Sequence, residues 1–169
     1  MTDYTEMNAY ERIEGSEKLT RIFGYWPRFH DASVVRFSID WRRTIDREND
    51  GPMIETLIHA FEATSEVDPA GYFILKNHVL VLFRFYEIAE PDLNDINTGN
   101  VLFELLIEDI RERGLKRRDF EVQFDPSYGF HGVFQCRRIE VIDVTPCDKD
   151  ATPLDRSAGR STESTIEPT

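Results

Sequence analysis

The stretch that decides the fold is Val35-Arg36-Phe37-Ser38-Ile39-Asp40-Trp41, in which apolar and polar residues alternate at every position. Successive side chains of a β-strand point to opposite faces, so this alternation predicts a strand whose one face, carrying all the apolar residues, is buried. A single strand of this kind is stable only as part of a sheet. The neighbouring segments are therefore expected to supply further strands.

Two more strands are predicted downstream of this stretch. Met53 to Phe61 has apolar residues on both faces, which favours a central position in the sheet. His78 to Tyr86 is rich in Phe, Val and Leu and reads as a long strand. The connection between them contains Asp68-Pro69-Ala70-Gly71, a strong turn signal. The pair is therefore predicted to form a hairpin.

The second half of the chain gives a less uniform pattern. The segment from 90 to 100 reads as a loop, and Val101 to Arg113 leans towards helix while leaving a strand open. Phe120 to Phe124 is a short alternating strand followed by a turn at 125 to 129. Phe130 to Val144 is one strand or a pair of strands. The helical face of the ambiguous segment would carry Leu102, Leu105, Leu106 and Ile110.

These elements predict an α+β fold: a predominantly antiparallel β-sheet with one or two short helices packed against it. The first helix is predicted over Ser16 to Phe23, with Ser16 as cap and Gly24 as its stop. We expect a flexible N-terminus over 1–15, one β-rich domain over 16–145, and a disordered polar tail over 146–169.

The charge of the chain limits its partners. The 169 residues carry a formal net charge of −12, with a pI of about 4.8. This charge repels nucleic-acid backbones and anionic membranes, whereas it attracts a basic protein. Solubility alone would also account for it. No export signal or membrane-spanning run is visible, so a cytoplasmic location with reduced thiols at Cys136 and Cys147 is expected.

Groups that would suit catalysis are few. His30 and Asp31 are adjacent, but adjacent side chains on an extended chain point apart, so we expect them not to meet. His59 and His78 lie on strands predicted to pair and could meet around a metal, although no HExxH or CxxC spacing supports one. No phosphate-binding glycine loop and no GxSxG elbow is present. We therefore predict no enzyme, no cofactor and no metal.

Acidic residues cluster in two predicted loops. Loops between strands often lie at one end of a sheet, so the clusters are candidates for one patch that binds a basic partner. A solubilising rim is the alternative interpretation. The candidates are Glu62, Glu66 and Asp68 in the first loop, and Glu87, Glu90, Asp92 and Asp95 in the second.

The segment from 22 to 34, IFGYWPRFHDASV, resembles the opening motif of the Immunity protein 50 family. Weaker similarity continues at Phe61 to Val67 and at Asp125 to Cys136, and the resemblance covers roughly Ser16 to Thr145. It implies a cytoplasmic antitoxin that binds and neutralises one toxin of a bacterial polymorphic toxin system. No binding residues transfer from the family. The motif residues are interpreted as structural: Trp26, Pro27, Phe29, His30 and Asp31.

Two other functions stay open at this point. One is a small hydrolase or metal-dependent enzyme, which requires His30 and Asp31 to converge with His59 or His78 in a pocket. The other is a generic ligand-binding β domain, which requires a deep apolar pocket lined by Trp26, Trp41 and Phe residues.

Overall fold

A computed structural model describes residues 8–41 and 51–155. It contains one α-helix, two short 3-10 turns at Ala9–Arg12 and Arg111–Arg113, and an eight-stranded sheet. The predicted α+β class with a mainly antiparallel sheet is confirmed. The elements are α1 Glu17–Phe23, β1 Ser33–Asp40, β2 Met53–Val67, β3 Phe73–Tyr86, β4 Ala89–Asn94, β5 Asn100–Asp109, β6 Phe120–Gly129, β7 His131–Cys136 and β8 Arg138–Pro146.

The sheet is divided into two halves that pack on each other. Its strand order is β4-β7-β6-β5-β1-β2-β3-β8, and β1 meets β5 through a single residue pair, Ser33 with Val101. The halves β4-β7-β6-β5 and β1-β2-β3-β8 face each other across the core. Phe85 of β3 lies 5.1 Å from Phe134 of β7, ring centre to ring centre, and Phe37 of β1 lies 5.7 Å from Phe124 of β6.

The helix α1 seals this core with its apolar side. Leu19 and Phe23 are buried, one turn apart, in the same cluster as the strand phenylalanines. The helix ends where Gly24 takes a left-handed conformation and donates its N–H to the Thr20 carbonyl. The predicted helix and its stop are confirmed, whereas the Ser16 side chain makes no capping bond. No helix among residues 8–41 and 51–155 is long and apolar enough to cross a membrane.

The predicted preference for helix in the segment from 101 to 113 is wrong. This segment forms β5, which pairs with β6 from Asn100 to Asp109. Irregularities in the pairing next to Leu102 break the two-residue period, so Leu102 and Leu105 both face the core although they are three residues apart. Spacing of three residues is the mark of a helix, and a bulge in a strand has reproduced it here.

Three predicted irregular segments are also strand. The predicted connection from Glu62 to Gly71 is strand as far as Val67, so Glu62 and Glu66 lie on β2 and not in a loop. The segment from 90 to 100 contains most of β4, which sits at the edge of the sheet beside β7 and tolerates Pro91 for that reason. The predicted turn at 125 to 129 continues β6 to Gly129. The segment from 130 to 144 holds parts of two strands, β7 and β8, one of the two alternatives left open.

The inward face of β1 begins one residue earlier than predicted. A bulge between Val34 and Arg36 turns Val34 into the core, with 8% exposure, and leaves Val35 48% exposed. At the far end Trp41 is 72% exposed, so it does not belong to the buried face either. Phe37 and Ile39 pack against the core, as the alternation predicts.

The predicted domain limits stay predictions. Just outside them, Ile13 is buried and Glu14 forms a parallel bridge to Glu140, while Cys147 is buried and bridges Pro153. The remaining residues of the two predicted flexible ends, 1–7 and 156–169, lie outside the described residues.

The β2–β3 hairpin extends past its neighbours. Pairing of β1 with β2 goes no further than His59, and pairing of β8 with β3 begins at Val79. Residues 61–77, here called the arm, therefore form a two-stranded projection beyond the rest of the sheet, here called the body. Among the described residues no strand pairs with either edge of the arm.

Candidate interaction surface

The arm exposes apolar side chains that a soluble domain normally buries. Exposure is 73% for Tyr72, 64% for Phe73, 55% for Val67, and 41% each for Ile74 and Leu75. Single exposed apolar residues are common on proteins, but a contiguous group of this kind marks a surface that meets another molecule.

Strand pairing gathers part of this group on one face of the arm. Val67 lies opposite Phe73, and Ala63 lies opposite Leu75. Directly opposed side chains share a face, and so do residues two apart on one strand. Phe73 and Leu75 are two apart on β3, so they and their partners lie on one face, here called the apolar stripe, and the pairing is irregular only on the β2 side between Ala63 and Val67.

The tip of the arm is a turn held by several hydrogen bonds. The Asp68 N–H donates to the Tyr72 carbonyl at 2.8 Å, and Asp68 Oδ1 accepts the N–H groups of Ala70 and Tyr72, each at 2.9 Å. Gly71 supplies the positive φ of 87° that the turn needs. The predicted turn is confirmed, and its carboxylate side chain is a structural element that fixes the backbone beside the stripe.

The first predicted acidic cluster lies on this arm. Glu62 Oε2 accepts a hydrogen bond from Asn77 Nδ2 at 3.0 Å and lies 3.7 Å from Lys76 Nζ. Burial, and then the charge of Glu62, raise the pKa of the nearby Tyr25 hydroxyl. Glu66 is exposed close to the tip. The cluster therefore places negative charge on the arm, with Glu62 and its partner Lys76 on the face opposite the apolar stripe.

The second predicted cluster begins far from the first. Glu87 directly follows the end of β3, whereas the arm lies at the start of that 14-residue strand. At ~3.3 Å per residue, Glu87 lies about 40 Å along β3 from the end of the strand that belongs to the arm. The expectation of one acidic patch does not hold for Glu87, and it stays a prediction for Asp92 and Asp95.

Within the second cluster the carboxylates are engaged by neighbours. The Glu87 side chain is 8% exposed and pairs with Arg117 and, at 3.5 Å, with Arg137. Glu90 lies 3.4 Å from Arg118. A buried, paired carboxylate offers little to a partner, so Glu87 does not suit the surface role predicted for it.

The last two residues of that cluster lie beyond the β3–β4 connection. Asp92 Oδ1 accepts a hydrogen bond from Asn94 Nδ2 at 2.8 Å within the edge strand β4. Asp95 follows β4 in a left-handed conformation with φ of 53°. Both are exposed, and a role in binding stays a prediction for them.

The histidines His59 and His78 meet at the base of the arm. His59 Nε2 lies 3.0 Å from His78 Nδ1, so one nitrogen donates a proton and the other accepts it. His59 is 7% exposed, and burial together with the nearby His78 lowers its pKa. Asp148 and Asp150 oppose that shift.

Among the described residues, the two imidazoles are not joined by a third side chain that could complete a metal site. Within residues 8–41 and 51–155 no three His, Cys, Asp or Glu side chains are grouped to hold a metal ion. Their hydrogen bond instead joins the two strands where the arm leaves the body.

The prediction that His30 and Asp31 point apart is wrong. His30 Nδ1 lies 3.0 Å from Asp31 Oδ2. The backbone is not extended here, since Phe29 and Asp31 have φ values of 62° and 61°, and the alternation of side-chain directions is lost. Both side chains are more than half exposed, at 58% and 59%, and the His30 ring rests against Phe103.

The aromatic residues of the same motif turn inwards. The rings of Trp26 and Phe29 pack edge-on against Phe83 of β3, at 6.2 and 5.7 Å, and Trp26 stacks on Tyr10. Arg28 pairs with Glu104 on β5 at 2.9 Å. The motif thus ties the segment before β1 to both halves of the sheet.

Two surface hollows bear on the alternative functions, which require a pocket. The larger, about 590 Å³, lies between Arg12, Tyr86, Glu87 and Arg137. The smaller, about 210 Å³, is lined by Trp26 but not by Trp41. Neither contains a histidine, so neither brings together the groups that the hydrolase interpretation needs.

The apolar stripe was not predicted from the sequence, although a signal was present. Tyr72-Phe73-Ile74-Leu75 is an unbroken apolar run directly after the turn at Gly71. A run of this kind in a two-stranded hairpin has no second layer to cover both of its faces. Such a run before Lys76 and Asn77 therefore marks exposed apolar surface once the hairpin is recognised.

Comparison with known proteins gives one result. The model of the family described as Immunity protein 50 matches residues 15–147. No curated protein and no solved structure matches the chain. The matched span begins just before α1, ends just after β8 and includes the whole arm.

Proposed function

Since the chain belongs to the Immunity protein 50 family, we propose that it binds one cognate toxin domain of a polymorphic toxin system and neutralises it. The observation that carries this proposal is the family match over 15–147 of the 169 residues. The family description suggests a role in immunity to a toxin. We further propose that this toxin is basic and that the two proteins meet in the cytoplasm.

Inhibition by binding needs no reactive group on the inhibitor. Immunity protein families are not usually catalytic, and the two histidine-containing pairs described above lie apart from both hollows. A stable complex takes an interface of about 800 Å² on each partner, and an interface of this size over the working surface of the toxin would block its activity. The exposed apolar surface of the arm is a suitable contribution to such an interface.

The net charge of the chain would act on a toxin before the two proteins come into contact. A chain of net charge −12 draws a basic toxin towards it over several ångströms of solvent. This attraction raises the association rate more than it lowers the dissociation rate. Salt screens it, because the Debye length shrinks from ~10 Å at 0.1 M to ~3 Å at 1 M.

We expect the reading frame immediately upstream of the gene for this chain to encode a large secreted protein whose C-terminal domain is the toxin, and the test uses that domain. We expect the two proteins to co-purify, and the toxin to lose its activity at an equimolar amount of the chain. Raising the salt from about 0.05 to 0.5 M is expected to slow association roughly tenfold. A toxin domain that stays fully active in excess chain would contradict the proposal. An association rate independent of salt would contradict the electrostatic part alone.

A further inference from the structure

We propose that the arm is the element that docks on the toxin, with its apolar stripe as the anchor and its acidic residues facing a basic rim. This inference rests on the proposed function and names the surface that performs it. The stripe consists of Ala63, Val67, Phe73 and Leu75, as defined above.

Burial changes sharply along the β2–β3 hairpin. From Ile54 to Ala60 the inward side chains of β2 are 0 to 1% exposed, because the other half of the sheet covers them. Past the base of the arm that cover ends, yet the side chains stay apolar. Exposure of apolar side chains to water is unfavourable. We therefore infer that the surface of another molecule covers them.

The arm is ordered along its whole length before any partner binds. Its tip is held by the Asp68 carboxylate and backbone, and its middle by the hydrogen bond from Thr64 Oγ1 to the Ile74 carbonyl at 2.8 Å. Its base is held by the His59–His78 pair. A surface ordered before binding loses less conformational entropy when the complex forms.

The arm is large enough to contribute to a specific interface. At ~3.3 Å per residue, residues 61 to 67 extend the arm about 20 Å beyond the body. An aromatic side chain such as Phe73 or Tyr72 buries roughly 150–250 Å² when it is fully covered. Phe73 and Tyr72 are 64% and 73% exposed, so with the aliphatic residues of the stripe the arm supplies a part of the ~800 Å² that a specific interface needs.

Charge decides which partner fits. The arm carries three carboxylates, Glu62, Glu66 and Asp68, against the single cation Lys76. At its base the charges of Asp148 and Asp150 act on His59. The complementary surface is an apolar hollow with lysine or arginine around it. A second copy of the chain fits poorly, because both copies carry −12 and would bring like charges together.

The main test compares matched substitutions of exposed apolar residues. Phe73→Ser with Leu75→Ser removes the centre of the stripe, whereas Ile96→Ser with Tyr128→Ser removes residues of the body that are 77% and 64% exposed. We expect the stripe variant to bind the toxin domain about 30-fold more weakly, since central apolar anchors dominate interfaces. The body variant is expected to stay within about threefold of the wild type.

A charge test accompanies it. Glu66→Gln is expected to slow association at low salt, and Glu112→Gln, an equal charge change at an exposed site outside the arm, is expected to have a smaller effect. A measurement without substitutions guards against a misfolded variant. Amide hydrogen exchange across residues 61–77 of the wild-type chain should slow when the toxin domain is added.

The outcomes separate this inference from the function beneath it. If the wild type does not bind the toxin domain, the proposed function fails and this inference fails with it. If the wild type binds but the stripe variant binds equally well, or exchange in the arm is unchanged, only the docking role is overturned. If the stripe variant instead splits a wild-type dimer and leaves toxin binding intact, the stripe belongs to a second copy and the inference is overturned.

Discussion

The strand β3 carries the same residue type in two opposite environments. Phe73 at its start is 64% exposed on the arm, whereas Phe85 near its end is fully buried in the body. Both residues are phenylalanines of one continuous strand, so their intrinsic preference for β structure is the same. What differs is the presence of a second layer, since β6 and β7 face Phe85 and no strand faces the arm among the described residues. The body buries its apolar side chains, which stabilises the fold, whereas the arm leaves its apolar side chains exposed.

Removing the buried member of this phenylalanine pair should give the largest effect. Phe85 lies within 5.1 to 6.3 Å of three other rings, those of Phe83, Phe124 and Phe134. We expect Phe85→Ala to lower the free energy of unfolding by about 3–5 kcal/mol, through lost burial and a residual cavity. Phe73→Ala should change it by no more than about 0.5 kcal/mol, as is usual for surface substitutions.

Urea unfolding of both variants measures the contrast. A loss at Phe73 as large as that at Phe85 would show that the arm is covered by the chain itself. That result would also remove the reason to expect a partner there.

Two glycines make a second comparison of body and arm. Gly129 and Gly71 both have φ of 87°, so an alanine at either is strained by about 1–2 kcal/mol. A Cβ at Gly129 would lie 2.2 Å from the carbonyl carbon of Gly99, whereas one at Gly71 would have nothing within 4 Å. We therefore expect Gly71→Ala to cost about 1 kcal/mol and Gly129→Ala about 3 kcal/mol or more.

The difference between the two glycine variants is the quantity to measure. Thermal and urea unfolding of both chains under identical conditions give it directly. Equal costs would mean that the loop around Gly99 shifts away without penalty, and that the body is less tightly packed at this point than its geometry indicates.

The sequence allowed most of the fold to be predicted where one rule governed a segment. Alternation predicted a strand at β1, and a turn signal predicted the β2–β3 hairpin; both elements form. Prediction failed where a local irregularity changed the period. Bulges moved the buried face of β1 to Val34 and gave Leu102 and Leu105 of β5 a helix-like spacing. A bulge depends on the partner strand, which a single segment does not specify.

The candidate site was harder to predict, because the exposure of its side chains depends on where the neighbouring strands end. The acidic residues Glu62, Glu66 and Asp68 were identified correctly as neighbours in the chain. Nothing in the sequence alone indicated that β1 and β8 stop short of the arm, and this shortfall is what exposes Phe73. Similarly, the burial of Glu87 depends on Arg117 and Arg137, which lie far along the chain.

The junction between arm and body gives the smallest expected effect, through the pKa of His59. Burial and the facing His78 lower this pKa in the folded chain below the ordinary value of about 6.5 that applies after unfolding. The unfolded chain therefore takes up the proton more readily than the folded one. The contribution of His59 to stability is complete above about pH 6.5 and is lost as the pH falls through the lowered folded-state pKa. Asp148 and Asp150 moderate the loss, since their charges favour the protonated imidazole.

Replacing the buried imidazole should remove this part of the pH dependence. The free energy of unfolding of the wild type is expected to fall more between about pH 7.5 and 5.5 than that of His59→Gln, which keeps a polar group near His78 Nδ1. His131→Gln is the control for removing a histidine outside the pair. Parallel pH profiles for the wild type and His59→Gln would mean that water reaches the pair and that the base of the arm is open. In that case the arm is less firmly joined to the body than the 3.0 Å contact between the two imidazoles indicates.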